Sequence, residues 1–113
     1  LKYVQSNVEV VSLSHIRGMT LSDVWIIADE MQNSTPMQMK TLLTRVGENS
    51  KLIITGDLSQ SDLNPLIEPI NGLQDLIERM NSQSCSTFVN HIKFTNEDIK
   101  RSEFVRFILG LYV

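Results

Sequence analysis

The chain has 113 residues, 42% of them hydrophobic and 20% charged, proportions of a globular domain able to close one core. A net charge of −3, from 10 Lys+Arg against 13 Asp+Glu, gives no sequence-wide attraction to phosphate backbones. No apolar run approaches the roughly 18 residues of a membrane-spanning helix, and Leu1 to Val11 lack the layout of a secretory signal, so the expectation is a cytoplasmic protein with no membrane partner.

In chain order, Val8 to Leu13 is valine-rich and predicts a strand, followed by a loop through His15, Arg17 and Gly18. Val24-Trp25-Ile26-Ile27-Ala28 is apolar without alternation. That pattern predicts a strand covered on both faces, as in a parallel sheet, with Trp25 in the core. It ends at two carboxylates, Asp29 and Glu30. Thr35, Pro36 and Gln38 then give an N-cap, a proline at the first helical position and a capping box. Met39, Leu42, Leu43 and Val46 form one apolar stripe, and Gly47 predicts the helix stop. Leu52-Ile53-Ile54-Thr55 is the next strand. Strand, helix and strand in this span make a βαβ unit, whose strands run parallel and end on the same edge of the sheet.

Asn71 and Gln74 then predict a second capped helix with Ile70, Leu73, Leu76, Ile77 and Met80 on its apolar face. Asn81 to Ser86 reads as a linker holding Cys85, the only cysteine, so neither an intrachain disulfide nor a cysteine-built zinc site is available. Thr87 to Phe94 predicts a further strand, and a helix from about Ser102 carries Val105, Ile108, Leu109 and Tyr112. Met31, Met37, Met39 and Met80 read as packing residues, and His15 and His91 as surface or structural groups.

Open α/β sheets bind ligands outside the carboxyl ends of their strands. Two acidic loops fall there, Asp29-Glu30-Met31-Gln32 and Gly56-Asp57-Leu58-Ser59-Gln60. An aspartate held at a strand end suits Mg²⁺, which keeps several waters and takes few protein carboxylates. Glu30 is placed to polarise a water, and the Gln60 amide can donate to a phosphate oxygen and accept from water.

The apolar strand ending in Asp29-Glu30 resembles a Walker B element, and Asp-Glu-x-Gln followed by Gly-Asp-x-x-Gln is similar to motifs II and III of superfamily 1 helicases. PhoH-like proteins share that pair. They also resemble this chain at Arg17-Gly18-Met19-Thr20-Leu21, Gln32-Asn33, Thr35, Met39-Lys40, Leu43-Thr44-Arg45-Val46-Gly47 and Asp98-Ile99-Lys100-Arg101. The resemblance implies an α/β, three-layer, parallel-sheet P-loop NTPase fold, of which residues 1–113 form the C-terminal half. It implies ATP as ligand and Mg²⁺ as cofactor, with Asp29 organising the metal and Glu30 activating the attacking water. Asp57 and Gln60 would sense the γ-phosphate. Arg101 would stabilise transferred phosphate across a subunit boundary, with Arg17 and Arg45 as further nucleotide-binding candidates. RNA as a partner and assembly into a homo-oligomeric ring come from the resemblance alone.

Ala28 and Met31 depart from the family, which has a larger aliphatic residue and an alanine there. Nowhere does Gly-x-x-x-x-Gly-Lys-Ser/Thr occur, the loop whose backbone N–H groups and lysine cradle the β and γ phosphates. The chain by itself is expected to bind nucleotide poorly. The simplest account is the C-terminal portion of a longer protein whose loop lies upstream. A non-catalytic interaction module that kept the fold is the alternative. A superfamily 1 helicase fragment is disfavoured, because the stretch after Gln60 is too short for a second nucleotide-grasping domain.

Overall fold

The structure, a computed structural model, describes residues 7–83 and 87–112. Cys85 lies outside the described residues. The regular elements are strand β1 (Trp25–Ala28), helix α1 (Pro36–Leu43), strand β2 (Lys51–Ile54), helix α2 (Gly72–Ser82) and helix α3 (Glu103–Leu111). Short 3-10 turns occupy Leu13–His15, Met31–Asn33, Leu58–Gln60 and Asn96–Asp98. No helix among the described residues is long and apolar enough to cross a membrane.

The βαβ unit forms as expected. β1 and β2 pair in parallel, Trp25 opposite Lys51 through Ala28 opposite Ile54, so both strands end on one edge. α1 begins at Thr35, whose hydroxyl accepts from Gln38 N at 3.1 Å while Gln38 Oε1 accepts from Thr35 N at 2.9 Å. α2 begins at Asn71, whose Oδ1 accepts from Gln74 N at 2.9 Å. Both caps satisfy donors that a helix start otherwise leaves bare.

Alternation in the parallel pair decides where the core lies. Ile26, Ala28, Leu52 and Ile54 face the helices and pack with the buried Met39, Leu42, Met31 and Ile16, joined by Leu73 and Leu76. The other face holds Trp25 at 69% exposure, Ile27 at 70% and Ile53 at 42%. The expected two-sided burial of β1 is therefore corrected: one face is open, and Trp25 is a surface residue. Lys51 Nζ sits 5.2 Å from the centre of its ring, the arrangement of a cation over a π face. The strand pair and the helices α1 and α2 thus make two layers, with both helices on one side of the pair. The third layer expected from the family fold has no counterpart among the described residues.

The strands expected at Val8–Leu13 and Thr87–Phe94 do not form. Val8 to Ser12 has no regular structure and Leu13 opens a 3-10 turn, while residues 87–94 are turn and coil. Val10 is 95% exposed and Phe88 93%. Apolar, β-branched composition alone does not hold a strand, because its N–H and C=O groups need a neighbouring ladder, and no described strand lies beside either segment.

Gly47 is not the helix stop. α1 ends at Leu43, capped by Thr44, and Leu43 and Val46 stay partly open, so the buried stripe narrows to Met39 and Leu42. Gly47 N donates to Leu21 O at 2.8 Å, and a Cβ there would collide with the Ser22 hydroxyl and meet Thr20 Cγ2 at 2.8 Å. The glycine permits a close backbone approach. Met31 and Met39 are buried as expected and Met80 is half-buried, but Met37 is exposed.

Candidate functional site

The carboxyl edge of the strand pair carries both acidic loops, and side chains stitch them together. Asp29 follows β1, and its Oδ1 accepts from Glu30 N at 3.0 Å and from the Thr55 hydroxyl at the end of β2. Glu30 adopts a left-handed backbone, φ 55°, as it enters the Met31–Asn33 turn, a conformation that costs a residue with a Cβ about 1–2 kcal/mol. Met31 N donates to Thr55 O at 3.0 Å. Ser61 Oγ donates to Gln32 O at 2.9 Å, and Asp62 N to Asn33 Oδ1 at 2.8 Å.

Gln32 lies at the centre of this lacing and is 1% exposed. Its Nε2 donates to the Glu30 carboxylate, and its Oε1 accepts from Asp57 N at 3.1 Å. Both ends of a buried amide are thereby used, as burial of a polar group demands. Gly56 makes the approach possible: a Cβ there would meet Leu73 Cδ2 at 2.6 Å and Gln32 Oε1 at 2.7 Å. Sequence reasoning quoted Gln32 as part of a motif and gave it no role. The signal was present in the glutamine three residues after Asp29, but its partner Asp57 is 25 positions away and invisible without the fold.

Asp57 opens the Leu58–Gln60 turn. Its Oδ1 accepts from Ser59 Oγ at 2.7 Å and Ser59 N at 2.9 Å. These two bonds, the hydroxyl's first, hold the Asp57 carboxyl below its ordinary pKa, against a small opposing effect of desolvation. Hydrogen bonds to the ionised form act in that direction. Gln60 N donates to Asp57 O at 3.1 Å, and Gln60 is exposed on the same loop. Asp29, Glu30, Asp57 and Gln60 are therefore brought to one edge, all four linked directly or through Gln32.

No hydrogen bond or ion pair found among the described residues ties the three arginines to that lacing. Arg45 lies in the connection entering β2, where its carbonyl accepts from Leu21 N at 2.7 Å. That contact precedes β1, so the Arg45 backbone is at the amino end of the strands, opposite Asp29 and Asp57. Its Nε is enclosed without a partner among the described residues, and its Nη2 reaches the Thr44 hydroxyl at 3.4 Å. Arg17 is exposed in the turn closed by Met19 N on Ile16 O, between the buried Ile16 and the exposed Met19. Arg101 is exposed just before α3, whose N-cap is Ser102. Neighbouring Asp98 accepts from Thr95 N at 2.7 Å, and the ion pair found among the described residues is Asp75 with Arg79, 2.8 Å apart on α2. His15 and His91 are exposed.

No group of three or more His, Cys, Asp or Glu among the described residues is arranged to hold a metal. Mg²⁺ usually takes only one or two protein carboxylates and completes its shell with water and phosphate. Asp29 offers such a carboxylate, since both bonds found for it use Oδ1. The concavity bordering this edge is lined by Leu58, Ser59, Ser61, Glu68, Asn71 and Gln74 among others, and Asp29 is not part of its wall.

A parallel strand pair with two acid-bearing loops laced together at its carboxyl edge defines a small α/β unit of the kind that presents polar groups beyond strand ends. The chain belongs to the PhoH-like protein family, which it matches over residues 2–113. It is similar to Protein PhoH of Escherichia coli (strain K12), 37% identical over 105 residues, covering 93% of this chain and 28% of that protein. It is similar also to Protein PhoH2 of Bacillus subtilis (strain 168), 43% identical over 88 residues, 77% of this chain and 20% of that one. A PhoH-like protein of the same strain is 57% identical over 56 residues, 50% of this chain and 18% of the relative. The match thus covers less than a third of the length of each relative.

Proposed function

We propose that this chain forms the metal-organising and water-activating part of an ATP-hydrolysing P-loop NTPase with a three-layer parallel-sheet fold. The observation that carries the reading is the juxtaposition of Asp29, Glu30, Asp57 and Gln60 on one edge, laced through Gln32. The phosphate cradle that this sequence lacks would come from polypeptide outside these 113 residues. In that assembly Asp29 would hold Mg²⁺, which supplies charge neutralisation at the phosphates. Glu30 would orient and accept a proton from water, and Asp57 and the exposed Gln60 amide would sense the γ-phosphate. Arg101, exposed just before α3, is a group that could act on a neighbouring copy in a ring, and Arg17 and Arg45 are secondary candidates. An RNA partner is part of the same proposal and rests on family resemblance.

Two substitutions in the full-length polypeptide test the roles of the neighbouring carboxylates. Glu30→Gln keeps size and removes the base, so turnover should fall by about 10²–10⁴ while nucleotide affinity stays near wild type. Asp29→Asn removes a charged metal ligand and should weaken Mg²⁺-dependent binding itself. Affinity and kcat measured for both, with and without Mg²⁺, separate the two roles. Full turnover by Glu30→Gln would defeat the assignment.

A further inference from the structure

We propose that Gln32 is a positioning residue that couples the orientation of Glu30 to the state of the Gly56–Gln60 loop. The inference rests on the reading of Glu30 as the water-activating base. Glu30 is exposed, and the side-chain bond found for its carboxylate is the one from Gln32 Nε2. The same amide accepts from the backbone of Asp57, at the start of the loop proposed to sense phosphate. Only a side chain that donates at one atom and accepts at the other, at this length, makes both bonds: glutamate lacks the donor, lysine the acceptor and methionine both.

Three further features limit how the bridge can relax. Gln32 is enclosed, its carbonyl is held by Ser61 Oγ at 2.9 Å, and the backbone of Gly56 lies close enough that a Cβ would strike the amide oxygen. A shift of the Asp57 backbone therefore cannot be absorbed by a new rotamer of Gln32 and passes to Glu30. Loop position, set by what Asp57 and Gln60 contact, becomes base orientation.

The test compares wild type, Glu30→Gln, Gln32→Glu and the double variant in the full-length polypeptide. Gln32→Glu keeps an acceptor for the Asp57 amide and sets a carboxylate against Glu30. Adding Glu30→Gln exchanges amide and carboxylate and remakes the bond with reversed polarity. Coupling predicts that Gln32→Glu lowers Tm, that adding Glu30→Gln restores it, and that Gln32→Glu alone lowers kcat by about 10² with little change in KM, as misplacement of a reacting group does. Additive Tm changes, or unaltered kcat, overturn it. Should Gln32→Glu fail to fold, the backbone amide resonance of Asp57 decides: it shifts on Glu30→Gln if the bridge exists and is unmoved if it does not. Wild type without any ATP hydrolysis sinks the ATPase reading, while the Tm cycle, which needs no turnover, still decides the bridge.

Discussion

Asp57 concentrates two donors from one residue on a single carboxylate oxygen, and this sets a measurable property of the site. Its folded pKa lies below the ordinary aspartate value of about 3.9. The sign follows from linkage. The bonds from Ser59 stabilise the folded chain above the ordinary value, and that contribution is lost as pH falls through the lower, folded one. Ser59→Ala removes the hydroxyl donor, the larger cause, and leaves the backbone donor. The Asp57 midpoint in a carboxyl NMR titration should then rise toward its ordinary value. An unchanged midpoint would mean that the hydroxyl bond is not made in solution. The placement of Asp29, Glu30, Asp57 and Gln60 on one edge was readable because the loops that carry them follow apolar strands. Gln32 was not assigned, since its role depends on a pairing across 25 positions that only the parallel register creates. The remote position of Arg45 was equally hidden, because it follows from the backbone bond to Leu21.

Elements with their own local signals formed where they were expected. Thr35, Pro36 and Gln38 satisfy the first turn of α1 from within a few residues, and Asn71 does the same for α2. Such signals need no partner. Thr35→Ala removes a cap worth about 0.5–2 kcal/mol, and thermal unfolding followed by circular dichroism should show a lower Tm. Restoration by Thr35→Ser would separate the cap from side-chain packing. The unformed strands at Val8–Leu13 and Thr87–Phe94 mark the opposite case. Their composition favours extended backbone, but a strand takes its hydrogen bonds from a neighbour, and neither segment has one among the described residues. The α1 stripe narrows because the helix closes at Thr44, before Val46, and leaves Leu43 at its exposed last position.

At the scale of the molecule, the parallel pair buries one face under α1 and α2 and leaves the other open. The unbroken apolar run Val24 to Ala28 correctly signalled a parallel strand. It also pointed to two covered faces, whereas the helices described here cover one. Trp25 is the sole tryptophan of the chain, so this open face carries a built-in optical reporter. Its indole, 69% exposed beneath the Lys51 ammonium, should emit as a solvated fluorophore and be quenched readily by acrylamide. Emission should move to shorter wavelength, with slower quenching, when any polypeptide settles over Trp25 and Ile27. Lys51→Ala would change the intensity by removing the cation above the ring. A blue, quencher-resistant spectrum from the 113 residues alone would show that the face is already covered.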